Sequence, residues 1–142
     1  MKKRLFLACL SAMILFVAYN TTQKSNPAQI AKKAFEYFNA HQWDSLESLY
    51  ASDAVLIDPA FPVPPKGPKA IVNVYREISK KYPDIKDEII NLIAQDNKVA
   101  IEFISSGTAK TGESFKLRIS SFLVLRDGKI VEDATYYDIP CY

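Results

Sequence analysis

The chain has 142 residues, 49% hydrophobic and 24% charged, with a formal net charge of +2. That length holds one domain with one core and not two, and the balance excludes a disordered polymer. Outside Met1–Arg4 the basic residues form no run longer than a pair such as Lys32–Lys33, which argues against a nucleic-acid surface.

Lys2, Lys3 and Arg4 precede an apolar run from Leu5 to Tyr19, the layout of a secretory signal peptide. The run is short for a membrane span, which needs about 20 residues. We therefore expect an exported protein, periplasmic or extracellular. No clean small-x-small triplet stands near Ala18–Thr22, so an uncleaved N-terminal anchor is the other reading and the sole expected membrane contact. Leu7-Ala8-Cys9 loosely matches a lipobox, but too few apolar residues precede it. With the signal removed, Cys141 is the one remaining cysteine, so an intramolecular disulfide has no second partner. One histidine and no cysteine pair leave a structural zinc site without ligands, and no cofactor is expected.

Residues 1–26 thus form a signal or anchor plus a polar linker, 27–139 the folded domain and 140–142 a tail. Asn26 caps a helix that Pro27 opens, and Ile30, Ala34, Phe35 and Phe38 make its apolar stripe. Asp44 or Ser45 can cap a short second helix with Leu46, Leu49 and Tyr50 on its inner side, and Trp43 packs the two helices together. Ala54–Ile57 reads as a strand that breaks at Asp58-Pro59. The prolines between 59 and 65 forbid helix and central strand and stiffen the loop. Gly67-Pro68 opens a third helix with Ile71, Val74, Tyr75 and Ile78 on one face.

After Pro83 the period changes to two. Lys86–Gln95, Lys98–Thr108, Ser114–Arg126 and Lys129–Asp138 read as strands, separated by turn signals of which Asp127-Gly128 is the strongest. Three helices followed by an antiparallel meander give an α+β domain, with the helices packed on one face of a curved sheet.

The succession KKAFEYFNAHQWDSLESLYASDAVLIDP, KGPKAIVNVYREI and DGKIVEDATYYD resembles the nuclear transport factor 2-like superfamily. Its members include ketosteroid isomerases, limonene epoxide hydrolases and polyketide cyclases of the SnoaL type. The resemblance implies a cone: a bent sheet wrapped around helices, with a pocket for a small hydrophobic molecule and homodimer pairing through the outer sheet face. Fold alone does not license an activity.

Leu56-Ile57-Asp58-Pro59 is similar to the segment that carries the general base of ketosteroid isomerase, and a gapless count from Asn39 puts Asp58 at that position. That enzyme adds an oxyanion hole of a tyrosine and a protonated aspartic acid. Their places are matched here by Ala34 and Ser120. The polyketide cyclases point instead to an acid on the last strand, Asp133. Aligned on the isomerase-like strands, Val131, Asp133, Thr135 and Tyr137 face the cavity, with Arg118, Ser120 and Phe122 on the strand before and Ile101, Phe103 and Ser105 on the one before that. A one-residue slip would reverse any of these faces.

The candidate catalytic residues are therefore Asp58 and Asp133; the candidate substrate-binding residues are Phe103, Arg118, Ser120, Phe122, Thr135 and Tyr137. Each also has a plainer reading. Asp58 before proline is a turn residue bonding its own backbone. Asp133 is an exposed strand carboxylate, with Arg118 as its partner or as a holder of anionic substrate. His41 is a solvated helix-end residue as readily as a titrating one. Two functions stand: acid–base chemistry of isomerase, cyclase or hydrolase type using Asp58, or non-catalytic capture of a small molecule.

Overall fold

The computed structural model describes residues 26–138. The expected signal or anchor and the Cys141 tail lie outside the described residues. The elements follow in the order α1 (Pro27–Asn39), α2 (Trp43–Glu47), β1 (Tyr50–Ile57), α3 (Pro68–Lys81), β2 (Lys86–Gln95), β3 (Lys98–Thr108), β4 (Ser114–Arg126) and β5 (Lys129–Tyr136). This is the expected α+β architecture: one open, curved sheet with helices against its inner face.

Local chemistry explains the helix starts. The Asn26 side chain accepts from the Ala28 backbone N–H at 3.0 Å, with Pro27 in the first turn. Gly67 precedes Pro68 at φ 81°, a left-handed value that a side chain would strain, and so turns the loop into α3. The short α2 starts at Trp43, one or two residues ahead of the expected caps, and no side chain caps it. Trp43 meets the Phe38 ring edge-on and stacks on His41, which joins α1 to α2 as expected.

The sheet runs β1-β5-β4-β3-β2, antiparallel throughout except where β1 pairs in parallel with β5. Asp127 and Gly128 both take positive φ, 51° and 75°, which tightens the β4–β5 hairpin. β1 starts at Tyr50, four residues before the strand expected from sequence, because the pairing of Tyr50 with Ile130 of β5 draws it out of the helix. Tyr50 therefore belongs to the sheet and not to the inner side of the second helix.

The proline-rich loop does not wander from this strand. It folds back beside it: Leu56 N–H donates to the Pro65 carbonyl at 3.0 Å, and Gly67 N–H to the Ala54 carbonyl at 2.8 Å. Val55 and Lys66 form an antiparallel bridge.

Helices and sheet close on a core in which Leu46, Leu56, Ile71, Val72, Val99 and Ile130 are fully buried. Each such side chain contributes about 1.5–3 kcal/mol on burial. The core does not fill the space between layers completely, and the remainder is the cavity.

Candidate functional site

On β3, Val99, Ile101, Phe103 and Ser105 alternate inward; on β4 the inward set is Ile119, Ser121, Leu123 and Leu125. Directly paired residues share a face of a sheet. Phe103 pairs with Ile119, Ile101 with Ser121, and Leu123 with Asp133, so the odd-numbered residues of β4 must face the cavity with Phe103 and Asp133.

This corrects the assignment of Arg118, Ser120 and Phe122, which lie on the outer face. Arg118 bonds Glu102 at 2.6 Å there, away from Asp133 and from any cavity ligand. Ser120 is exposed, and Phe122 is 50% exposed and meets Tyr136 edge-on. The alternation in SFKLRISSFLVLR carried this information: Phe115, Leu117, Ile119, Leu123 and Leu125 are odd, while Lys116, Arg118 and Arg126 are even. On β5, Asp133 and Thr135 face inward with Tyr137 just beyond, as expected, but a register irregularity beside Val124 and Leu125 brings Ile130 and not Val131 to the cavity.

The cavity has a volume of about 360 Å³ and is mostly apolar, walled by Phe35, Phe38, Phe103, Phe115, Leu117 and Ile119 among others. Its ionisable groups are three aspartates, Asp58, Asp87 and Asp133, and four tyrosines, Tyr50, Tyr75, Tyr82 and Tyr137; no lysine, arginine or histidine lines it among the described residues. A few polar groups set in an apolar wall is the usual profile of a small-molecule site.

Asp133 is 6% exposed and is the best-supported group. The hydroxyls of Tyr50 and Tyr75 both donate to its Oδ2, each at 2.7 Å. Its Oδ1 receives no hydrogen bond from the described residues. Burial pushes this carboxyl up from its ordinary value, the Asp58 charge adds to the rise, and the two tyrosine hydrogen bonds oppose it. The same burial, with the charge of Asp133, pushes both tyrosines well above their ordinary range. The sequence reading missed this triad. Tyr75 stood on the correct helix face, but only the β1–β5 pairing brings Tyr50 beside Asp133.

Asp58 follows β1, where Leu56 pairs with Asp133 and Ile57 with Ala134, so it projects into the cavity one strand away from Asp133. Its Oδ1 accepts from the Ala60 N–H at 2.8 Å and from the Tyr137 hydroxyl at 3.0 Å. Both readings of this residue therefore hold at once: it makes the local turn, and it lines the cavity. Oδ2 has no donor among the described residues. Tyr137 is pushed up to about 12, first by burial and then by its bond to Asp58. Beside them the hydroxyls of Thr135 and Ser121 lie 2.8 Å apart.

Asp87 is the third carboxyl, also missed from sequence, where it is one charge in the polar run KDE. Asn39 fixes its backbone, donating to the carbonyl and accepting from the N–H at 2.8 Å each, and so ties the end of α1 to edge strand β2. Its Oδ1 is buried with no hydrogen-bond partner. Burial pushes the carboxyl up to about 6, against a smaller downward effect of the facing Ser105 hydroxyl.

No curated protein matches the chain. A hypothetical protein of Catenulispora acidiphila with a ketosteroid isomerase-like fold, solved in complex with trimethylamine, superposes with a TM-score of 0.72 at 20% identity over 78% of this chain and 86% of that one. IdmH, a candidate polyketide cyclase of Streptomyces antibioticus, gives 0.70 at 24% identity over 80% and 92%. AclR, a candidate hydroxylase of Streptomyces galilaeus, gives 0.70 at 17% over 80% and 90%. At such identities these neighbours establish the fold alone. The model of the SnoaL-like domain matches residues 31–133, which span the helices, the sheet and both acids of the β1–β5 pair, and the chain therefore belongs to the SnoaL-like domain family.

Proposed function

We propose that this domain binds a small, largely apolar carbonyl compound in its cavity and moves a proton on it, with Asp58 as base and Asp133 as acid. The observation that carries the reading is the contrast between the two carboxyls on neighbouring strands. Asp58 is partly exposed and keeps Oδ2 free to accept a proton. Asp133 is sealed among tyrosines, its carboxyl raised by burial and by the negative charge of Asp58. A pair of neighbouring acids of which one is raised by burial and the other keeps an oxygen without a donor divides into acid and base.

In the proposed step, Asp58 Oδ2 takes the proton from the carbon next to the substrate carbonyl. The C–H electron pair becomes the enolate double bond, and the developing negative charge on oxygen meets the proton held on Asp133 Oδ1. Tyr50 and Tyr75, both donating to the other oxygen of Asp133, hold the carboxyl in place. An oxyanion donor supplies the larger share of such catalysis, and a positioned base contributes about 10²–10⁴-fold. Asp133 would thus fill the role for which the sequence offered only Ala34 and Ser120. Return of the proton to another carbon gives an isomerase; attack of the enolate on a second carbonyl gives a cyclase.

The test is deuterium exchange at the α-carbon of 2-tetralone in D2O, followed by NMR. Wild-type protein should accelerate exchange, and Asp58→Asn should lower the rate about 10²–10⁴-fold at an unchanged melting temperature. Equal rates for the two proteins overturn the reading. If 2-tetralone binds without any acceleration, the domain is the non-catalytic capture module, a reading that the predominantly apolar wall favours.

Two further expectations belong to this proposal. The charged, then apolar, N-terminal sequence supports export with or without cleavage. The exposed Phe122–Tyr136 pair on the outer sheet face supports homodimer pairing there, and sedimentation of Phe122→Lys against wild type tests it.

A further inference from the structure

Asp87 is not used by the proton transfer just described, and its position is costly. A buried acceptor without a partner forfeits the hydrogen bonds it had in water. Among the described residues Asp87 Oδ1 has none, although Asn39 holds the backbone of the same residue with two hydrogen bonds. The carboxyl is thus held at a fixed point of the cavity wall, with Oδ1 sealed in the packing and given no donor by the fold among the described residues.

Its surroundings are specific. Asp87 pairs with Ser105 across β2–β3, and Ser105 with Leu117 across β3–β4; Asp133 pairs with Leu123. Leu117 and Leu123 are six residues apart on β4, so Asp87 and Asp133 are offset by roughly 20 Å of strand length before sheet curvature shortens it. Aromatic rings frame the Asp87 end: Phe35 packs edge-on against Phe103 at 4.9 Å, and Tyr82 against Phe115 at 4.6 Å. All four rings line the cavity. No basic side chain does among the described residues, so nothing in the wall neutralises Asp87.

We propose that Asp87 and its frame of aromatic rings form a cation subsite, which selects ligands bearing a protonated amine at the end distal to the Asp58–Asp133 pair. A protonated amine fits both halves of this environment. It gives the Asp87 carboxyl a charge-assisted donor, the stronger class of hydrogen bond, and its positive charge is attracted to ring faces. Carboxylate ligands are repelled for the same reason, with no counter-charge in the wall among the described residues. The inference rests on the reading of the cavity as a ligand site and adds the chemical class of the ligand.

The experiment measures binding of 4-phenylbutylamine, 4-phenylbutanol and 4-phenylbutyrate by calorimetry at pH 7.5 to the wild-type protein, Asp87→Asn and Asp58→Asn. The amine should bind wild type about tenfold or more tightly than the alcohol, and the butyrate weakest. Asp87→Asn, which keeps the shape of the side chain, should bring the amine-to-alcohol ratio close to one; Asp58→Asn should leave it intact. If the alcohol binds but the amine has no advantage, the cation subsite is overturned and the ligand cavity stands. If Asp58→Asn and not Asp87→Asn erases the preference, the subsite is overturned in favour of the proton-transfer end. If none of the three probes binds wild type, the cavity reading and the subsite fall together.

Discussion

Asp133 and Asp87 line one cavity, and the fold treats them in opposite ways. Asp133 lies in the centre of the sheet-to-helix packing, and two tyrosines from β1 and α3 were brought to it from 83 and 58 residues away. Asp87 lies on an edge strand, its main chain fastened by Asn39 and its side chain left with a buried oxygen that no described residue bonds. Burial raises both carboxyls. The difference teaches that burial alone does not mark a functional acid. What each acid is given as partners says whether the protein holds it for structure and chemistry or keeps it open to something outside.

The comparison can be broken most forcefully at Asp133. Asp133→Ala leaves two buried tyrosyl hydroxyls without an acceptor, and should cost on the order of 3 kcal/mol in urea unfolding. Asp133→Asn keeps an acceptor for them and should cost less. Equal losses for the two variants would show that the tyrosines find other partners.

Asp87→Asn should act in the opposite direction. The folded carboxyl titrates near about 6 against 3.8 for the free group, so its favourable contribution is complete below 3.8 and is lost as the pH rises through about 6. Wild type should therefore be less stable at pH 8 than the variant, by roughly 1–2 kcal/mol and at most about 3, and the two should converge near pH 4. Melting curves at the two pH values read this directly. A variant less stable than wild type at pH 8 would mean that Asp87 has a partner inside the fold.

The smallest effect belongs to Arg118→Ala. Its bond to Glu102 is on the outer face, where exposed ion pairs contribute little. Melting temperature and ligand affinity should stay at wild-type values within error. A loss of affinity would return Arg118 to the cavity.

Much of this architecture was legible in the chain. The helical stripe of α1, the Gly67-Pro68 start of α3 and the Asp127-Gly128 hairpin are local signals, and the structure repeats them. The bounds of β2, β3 and β4 follow from period two and turn residues in the same way. Asp58, Phe103, Asp133, Thr135 and Tyr137 reach the cavity as read. The inner face of β4 was also legible, but alignment with distant strands outweighed the charges at Lys116, Arg118 and Arg126, which mark the solvent side. Tyr50 was not legible. Its spacing from Leu46 fits a helix, and only the parallel pairing with a strand 80 residues later decides otherwise. Asp87 was not legible either: the burial of its Oδ1 depends on packing between α1, β2 and β3 that no local pattern encodes.

The return of the 59–66 loop along β1 has a consequence for solubility. A sheet edge with free N–H and carbonyl groups invites another strand, and unrestrained edges lead to aggregation. Here the hydrogen bonds of Leu56 with Pro65 and of Ala54 with Gly67 occupy that edge with a segment too rich in proline to template a further strand. Among the described residues the other edge is β2, whose exposed side chains include Lys86 and Glu88. The loop that leads from β1 to α3 is thus also a guard against pairing between molecules through their first strand.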